Sequence, residues 1–191
     1  AGTDLLAVRD YIFGSDYKNI IFSTNKLPAN NLNILYNIAD AQILLTSNEG
    51  WGLSLTEAML TGTPIIANVT GGMQDQMRFE FEDGTWIDFD ENFPSNHRGT
   101  IKKHGEWAFP VYPTSRSIVG SPPTPYIFDD RCQPEDAAVQ LKKLYDLGRE
   151  ERKRLGSLGT EFCKENLMTS KAMGQEFISS MDGAFDNWKP K

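Results

Sequence analysis

The stretch Asn48-Glu49-Gly50-Trp51-Gly52-Leu53-Ser54-Leu55-Thr56-Glu57 decides how this chain is read. The apolar run at 43–46 enters it as a strand, and Leu55, Met59 and Leu60 leave it at helical spacing. A strand therefore gives way to a helix across two glycines. Glycine has no side chain to hold a ligand off and adopts backbone angles closed to other residues. The first N–H groups of the helix lack intrahelical partners and face back at the turn, where the helix dipole is positive. An anion is stabilised in such a place. Glu49 and Glu57 bracket the bend, eight positions apart. Each offers acceptors to hydroxyl groups, and a carboxylate at Glu57 repels a phosphate. A ligand that carries both a diphosphate and sugar hydroxyls suits this site. Ser54-Leu55-Thr56-Glu57 also fits a capping box, in which Glu57 satisfies only a backbone N–H. The two readings of Glu57 stand side by side.

Outward from the turn, helix and strand signals alternate. Leu5, Leu6, Val8, Tyr11 and Ile12 form a helix face that Gly14 ends, and residues 19–22 read as a short apolar strand. Leu32, Leu35, Tyr36 and Ala39 repeat at helical spacing behind the cap candidates Asn30 and Asn31. After the turn, a helix at 53–60 is stopped by Thr61-Gly62-Thr63-Pro64, a strand follows at 65–69, and Gly71-Gly72 closes it. Short apolar strands separated by helices imply parallel pairing through crossovers. The expected fold class is α/β, a Rossmann-like parallel sheet flanked by helices. The tract 77–125 breaks the rhythm. It carries an Asp83-Gly84 turn signal, an alternating Trp86-Ile87-Asp88-Phe89 segment, and Pro110, Pro113, Pro122, Pro123 and Pro125, which exclude a helix. It reads as an irregular insertion in one domain spanning 1–191. Residues 133–191 read as helices. Pro134 stands at the first turn, Ala138, Leu141, Leu144 and Tyr145 form a stripe, and Gly148 ends that helix. Leu155, Leu158, Phe162 and Cys163 line a second helix; Ala172, Phe177, Met181 and Phe185 line a third.

Composition limits the partners. With 39% apolar and 24% charged residues over 191 positions, the chain is of a soluble, globular type. A net charge of −7 argues against nucleic acid, whose binders present a basic face. Cys132 and Cys163 have no metal-ligand spacing, and a reducing, cytoplasmic setting is the simple expectation. The opening Ala1-Gly2-Thr3-Asp4 has no initiator methionine and no signal core, and reads as the middle of a longer protein.

Residues 34–72 resemble the C-terminal domain of retaining GT-B glycosyltransferases, especially family 4. Four blocks carry the resemblance in order and spacing. They are Leu35-Tyr36-Asn37-Ile38-Ala39-Asp40, Ser47-Asn48-Glu49-Gly50-Trp51-Gly52-Leu53, Glu57-Ala58-Met59-Leu60-Thr61-Gly62-Thr63-Pro64, and the strand closed by Gly71-Gly72. The resemblance implies the GT-B C-terminal half and transfer of a hexose from a nucleotide-diphosphate sugar to a sugar or glycan acceptor with retention of configuration. It implies that Glu49, as the catalytic-site acid, contacts donor-sugar hydroxyls near the reacting carbon. It implies that Glu57 holds the ribose and that Gly50, Trp51, Gly52 and Leu53, with Gly71 and Gly72, form the substrate-binding turns. No metal and no cofactor is expected. Trp51 stands where Phe is commoner and reads chiefly as a packing anchor. The family's upstream Arg and Lys, which grip the diphosphate, have no counterpart before Glu49, and Asp75 stands where Glu is usual. The acceptor-binding N-terminal GT-B domain is an expected partner outside this chain, as is any peripheral membrane contact. The fragment alone is then expected to be inactive. The alternative is a non-catalytic nucleotide-sugar-binding or scaffold module of the same fold.

Other residues carry weaker signals. Trp107, Phe109, Tyr112, Tyr126 and Phe128 stud the proline-rich tract and read as an arm packed over the sheet edge, with sugar stacking as the second reading. Arg116 has the chemistry to reach a phosphate. His97 and His104 read as surface residues, and Asp129-Asp130 as loop or cap acids.

Overall fold

A computed structural model describes residues 3–87, 97, 99–166 and 168–189. In chain order the elements are α1 (Leu5–Phe13), α2 (Ala29–Ile38), β1 (Gln42–Leu44), α3 (Leu53–Leu60), β2 (Ile65–Asn68), α4 (Met73–Met77), β3 (Ala108–Val111), β4 (Ser115–Ser121), β5 (Thr124–Arg131), α5 (Pro134–Asp146), α6 (Gly148–Glu165) and α7 (Ser170–Asn187). Contacts divide the chain into two units, Ala1–Leu32 and Asn33–Lys191, where the sequence reads as one domain.

In the first unit, Asp4 caps α1, its carboxylate accepting from the Ala7 N–H at 3.0 Å. Gly14, at φ 87°, ends the helix as expected. The strand expected at 19–22 does not form. Its backbone pairs with no strand among the described residues, and Ile21 stands 90% exposed. An apolar run becomes a strand only when a neighbour completes its hydrogen-bond ladder. Asn30 and Asn31 lie inside the first turn of α2 rather than capping it.

The second unit is built on a three-stranded parallel sheet in the order β1-β2-β3. β2 is central and buried along its whole length. Alternation along β2 sends Ile65 and Ala67 into a core with Leu55, Met59, Phe162 and Trp107, whereas Ile66 packs with Val111, Ala137 and Leu144. Helices α3, α4 and α6 thus cover one face and α5 the other. This is the expected mixed α/β class with a parallel sheet flanked by helices. Helix α6 approaches α3 closely, and a Cβ on Gly156 would lie 1.7 Å from the Gly62 carbonyl oxygen.

The tract 77–125 is more regular than its composition suggests. β3 lies inside it, and β4 pairs with β5 as an antiparallel hairpin. Pro110 is accommodated because β3 is an edge strand, needing a ladder on one side only. Asp83-Gly84 forms its turn, with the Thr85 N–H donating to Asp83 at 2.9 Å. Trp86 and Ile87 are described, whereas Asp88 and Phe89 lie outside the described residues. The buried residues of α5 are Leu144, as expected, and Ala137 in place of Ala138, with Ala138, Leu141 and Tyr145 exposed. That of α6 is as expected, with Leu155, Phe162 and Cys163 buried. No described residue of α7 is buried.

His97 corrects the sequence reading, for it is 3% exposed rather than at the surface. It meets Phe79 edge-on at 4.2 Å between centroids. Burial, helped by Lys102, lowers its pKa to about 4. The native state holds it neutral while the unfolded chain protonates it near 6.5. Between those values the unfolded state binds more protons. Stability should therefore be full above about pH 6.5 and fall by about 2–3 kcal/mol as pH drops toward 4. Urea midpoints across that range check this, and His97→Leu should flatten the slope. Burial also lowers the pKa of His104, which accounts for residual slope of the same sign.

Candidate functional site

The carboxyl end of the sheet is where β1 and β2 release the two glycine turns. Gly71 and Gly72 press directly on the first turn. A Cβ on Gly71 would stand 2.0 Å from the Glu49 carbonyl oxygen, and one on Gly72 2.2 Å from that of Gly50. Gly71 also has φ 50°. The structure thus brings Glu49, Gly50, Gly71 and Gly72 together through backbone contact, an arrangement that fills the space under the turn.

Gly52 is the N-cap of α3, at φ 83° and ψ 62°, with no side-chain capping bond. The capping box does not form. Glu57 instead accepts from the Tyr36 hydroxyl at 2.8 Å. Desolvation, then the neighbouring Glu57 carboxylate, raises the Tyr36 pKa to about 12. Glu57 is exposed, and Glu49 is half-buried with Oε1 accepting from the Gly50 N–H at 3.1 Å. Neither acid is sealed beneath apolar neighbours. The N–H groups of Gly52 and Leu53 have no acceptor among the described residues. They stand at the positive end of α3.

Trp51 is anchored as expected, its Nε1–H donating to Thr56 Oγ1 at 2.9 Å. Its ring, with Leu53, Thr56, Met168 and Met173, lines a cleft of about 460 Å³ beside the turn. Neither Glu49 nor Glu57 lines that cleft.

Two features escaped the sequence reading. Gln76, on α4, is fully buried. Its Nε2 donates to the carbonyl oxygens of Trp51 and Gly52, its Oε1 accepts from Thr56 Oγ1 at 2.8 Å, and its own carbonyl accepts from Trp107 Nε1 at 3.0 Å. Asp130, read as a loop or cap acid, is a fully buried strand residue. Its carboxylate accepts from Arg116 Nε and Thr70 Oγ1, both at 2.9 Å, and its N–H donates to Ser47 at 2.8 Å. Asn68 joins the same seam, donating to Thr46 and Asp130 carbonyls at 2.9 and 2.7 Å. Arg116 is therefore engaged by Asp130, its guanidinium 4.8 Å above the Phe128 ring. The signal in sequence was faint, one of two adjacent acids just after an apolar run. The aromatics divide, with Trp107 buried and Tyr126 and Phe128 exposed.

Among the described residues no three His, Cys, Asp or Glu side chains gather as a metal site, and no helix is long and apolar enough to cross a membrane.

The fold is of the mixed α/β class, with a strand-turn-helix at the carboxyl end of a parallel sheet whose Gly52 and Leu53 N–H groups have no acceptor among the described residues. Comparison with known families makes the class more specific. Residues 15–93 match the family described as Glycosyl transferases group 1. The match covers less than half of the chain and includes every candidate residue from Glu49 to Gly72. It supports a glycosyltransferase, a class that acts on a sugar donor and an acceptor, and the parallel sheet flanked by helices is consistent with a Rossmann-like domain of that kind. No curated protein matches the chain.

Proposed function

We propose that this chain is the donor-binding part of a GT-B glycosyltransferase of family 4 type, which transfers a hexose from a nucleotide-diphosphate sugar with retention of configuration. One observation carries the reading. The Gly52 and Leu53 N–H groups, without an acceptor among the described residues, open α3 between two accessible carboxylates. The diphosphate lies against those N–H groups, whose hydrogen bonds and dipole stabilise the charge that develops as it departs. Glu57, with Tyr36 beside it, accepts from the ribose hydroxyls. Glu49 accepts from hydroxyls of the transferred sugar. The acceptor attacks the anomeric carbon on the face the diphosphate leaves. In this reading a second domain binds the acceptor, and turnover belongs to the intact enzyme. The free thiols Cys132 and Cys163 accord with a cytoplasmic setting.

Kinetics of the intact enzyme test the roles. A hydrogen bond to a charged group contributes about 1.5–3 kcal/mol, or roughly tenfold to a hundredfold. Glu57→Ala should raise the donor KM by about that factor with kcat little changed, whereas Glu49→Ala should lower kcat. Normal kinetics in both variants would refute the assignment.

A second reading, a nucleotide-sugar-binding module without turnover, is favoured by the engagement of Arg116 with Asp130 rather than with the turn. Donor binding without transfer by the intact protein would select it.

A further inference from the structure

We infer that Gln76 is the positioning residue that aims the turn's N–H groups at the ligand. The inference rests on the donor-site reading and deepens it. In a trans peptide unit the C=O and the following N–H point in opposite directions. The chain has no cis peptide bonds among the described residues. The Trp51 and Gly52 carbonyls are both drawn toward the buried Gln76 carboxamide. The Gly52 and Leu53 N–H groups must then point away from it, which is outward. The Gly52 carbonyl also accepts from the Leu55 N–H at 2.9 Å, so Gln76 and the first turn of α3 hold it together, and the Gly52 and Leu53 N–H groups have no acceptor among the described residues.

The carboxamide is held in place by groups that leave it no alternative. Its oxygen accepts from Thr56 Oγ1, and that hydroxyl accepts in turn from Trp51 Nε1. The backbone carbonyl of Gln76 is fixed by Trp107 Nε1, inside the core. Trp51, Thr56 and Gln76 thus form one chain of polar groups in which every proton has a single destination. The order of donors also sets which end of the amide faces the turn. Only a group that donates twice toward the carbonyls, and accepts once from Thr56, completes the chain.

That requirement makes Gln76→Glu the discriminating substitution. A carboxylate of the same size still accepts from Thr56 but repels the two carbonyls. Protonated, it donates once and restores the bond to one of the two carbonyls. Buried carboxyls hold their proton to higher pH than exposed ones. The variant should therefore recover the native turn in part as pH falls, and lose it as pH rises.

The test uses the whole 191-residue chain and nitrogen-15 NMR, with Gln76→Leu as the second variant. Without ligand, the Gly52 and Leu53 amide signals and the Trp51 indole signal should move in both variants at pH 8. In Gln76→Glu they should return toward wild type at pH 5.5. Binding is then measured with UDP-glucose, GDP-mannose and ADP-glucose as probes. The probe that binds wild type should bind Gln76→Leu at least about tenfold more weakly, in keeping with loss of oriented hydrogen bonds. Gln76→Glu should regain affinity, relative to wild type, at the lower pH. Unmoved Gly52 and Leu53 signals, or equal probe affinity in wild type and both variants, would overturn the inference. If no probe binds wild type, the donor-site reading fails, and the unliganded spectra decide the role of Gln76 on their own.

Discussion

Gly71→Ala should destabilise the sheet-bearing unit by about 3 kcal/mol or more, because overpacking against rigid backbone and a left-handed residue with a side chain both carry cost. The added carbon would lie 2.0 Å from the Glu49 carbonyl oxygen, and no side-chain rotamer relieves a contact with backbone. The chain must shift the first turn, Glu49 with it, or abandon the αL angle at Gly71. Gly50→Ala is the matched control. It sits across the same contact, has no positive φ, and an added Cβ meets nothing within 4 Å. Its effect should remain within about 0.5 kcal/mol of wild type. Urea denaturation of the two variants reads the difference directly. Equal midpoints would mean that the two turns do not touch in solution.

Asp130→Ala should cost about 3–5 kcal/mol, the usual penalty for leaving one half of a buried ion pair. Arg116 has only 17% of its side chain exposed, so its guanidinium loses the Asp130 carboxylate largely out of water. Thr70 Oγ1 loses its acceptor in the same step. For a domain of this size the melting temperature should fall by roughly 10 °C. Asp130→Asn keeps the shape and an acceptor and should lose clearly less. The Asp130 backbone binds Ser47, two residues before Glu49, and Asn48 donates to Phe128 in the same strand at 3.0 Å. The damage should therefore reach the candidate site. A melting temperature unchanged in Asp130→Ala would show the pair to be solvated.

The contrast between Glu57 and Asp130 shows what could be read from sequence. Glu57 lies in α3, which follows a strand and two glycines closely in sequence, so its place at the mouth of the sheet is set by local geometry. The turn, α3 and β2 were legible for the same reason, and the family match falls on them. Asp130 acquires its role from Thr70 and Arg116, partners distant in sequence whose meeting depends on how the β4–β5 hairpin docks. Gln76 is similar, since a glutamine on a five-residue helix carries no pattern. His97 sat in a polar stretch, and its burial rests on distant Phe79 and Tyr112, whose rings meet it edge-on. β3 was hidden by its proline, which argues against a central strand and is tolerated at an edge. The residues 19–22 failed in the opposite sense, having a strand's composition without a strand's neighbour.

The position of Trp51 gives the molecule a built-in optical gauge. Of the four indoles, Trp107 is sealed in the core, Trp86 packs against Phe162 and Trp188 faces solvent, so none of these three should respond to what happens at the turn. Trp51 is half-exposed on the wall of the cleft, its nitrogen already engaged by Thr56. Anything that displaces water from that wall should shift its fluorescence toward the blue, and a titration followed by emission alone, with Trp51→Phe as the blank, would report occupancy without a label.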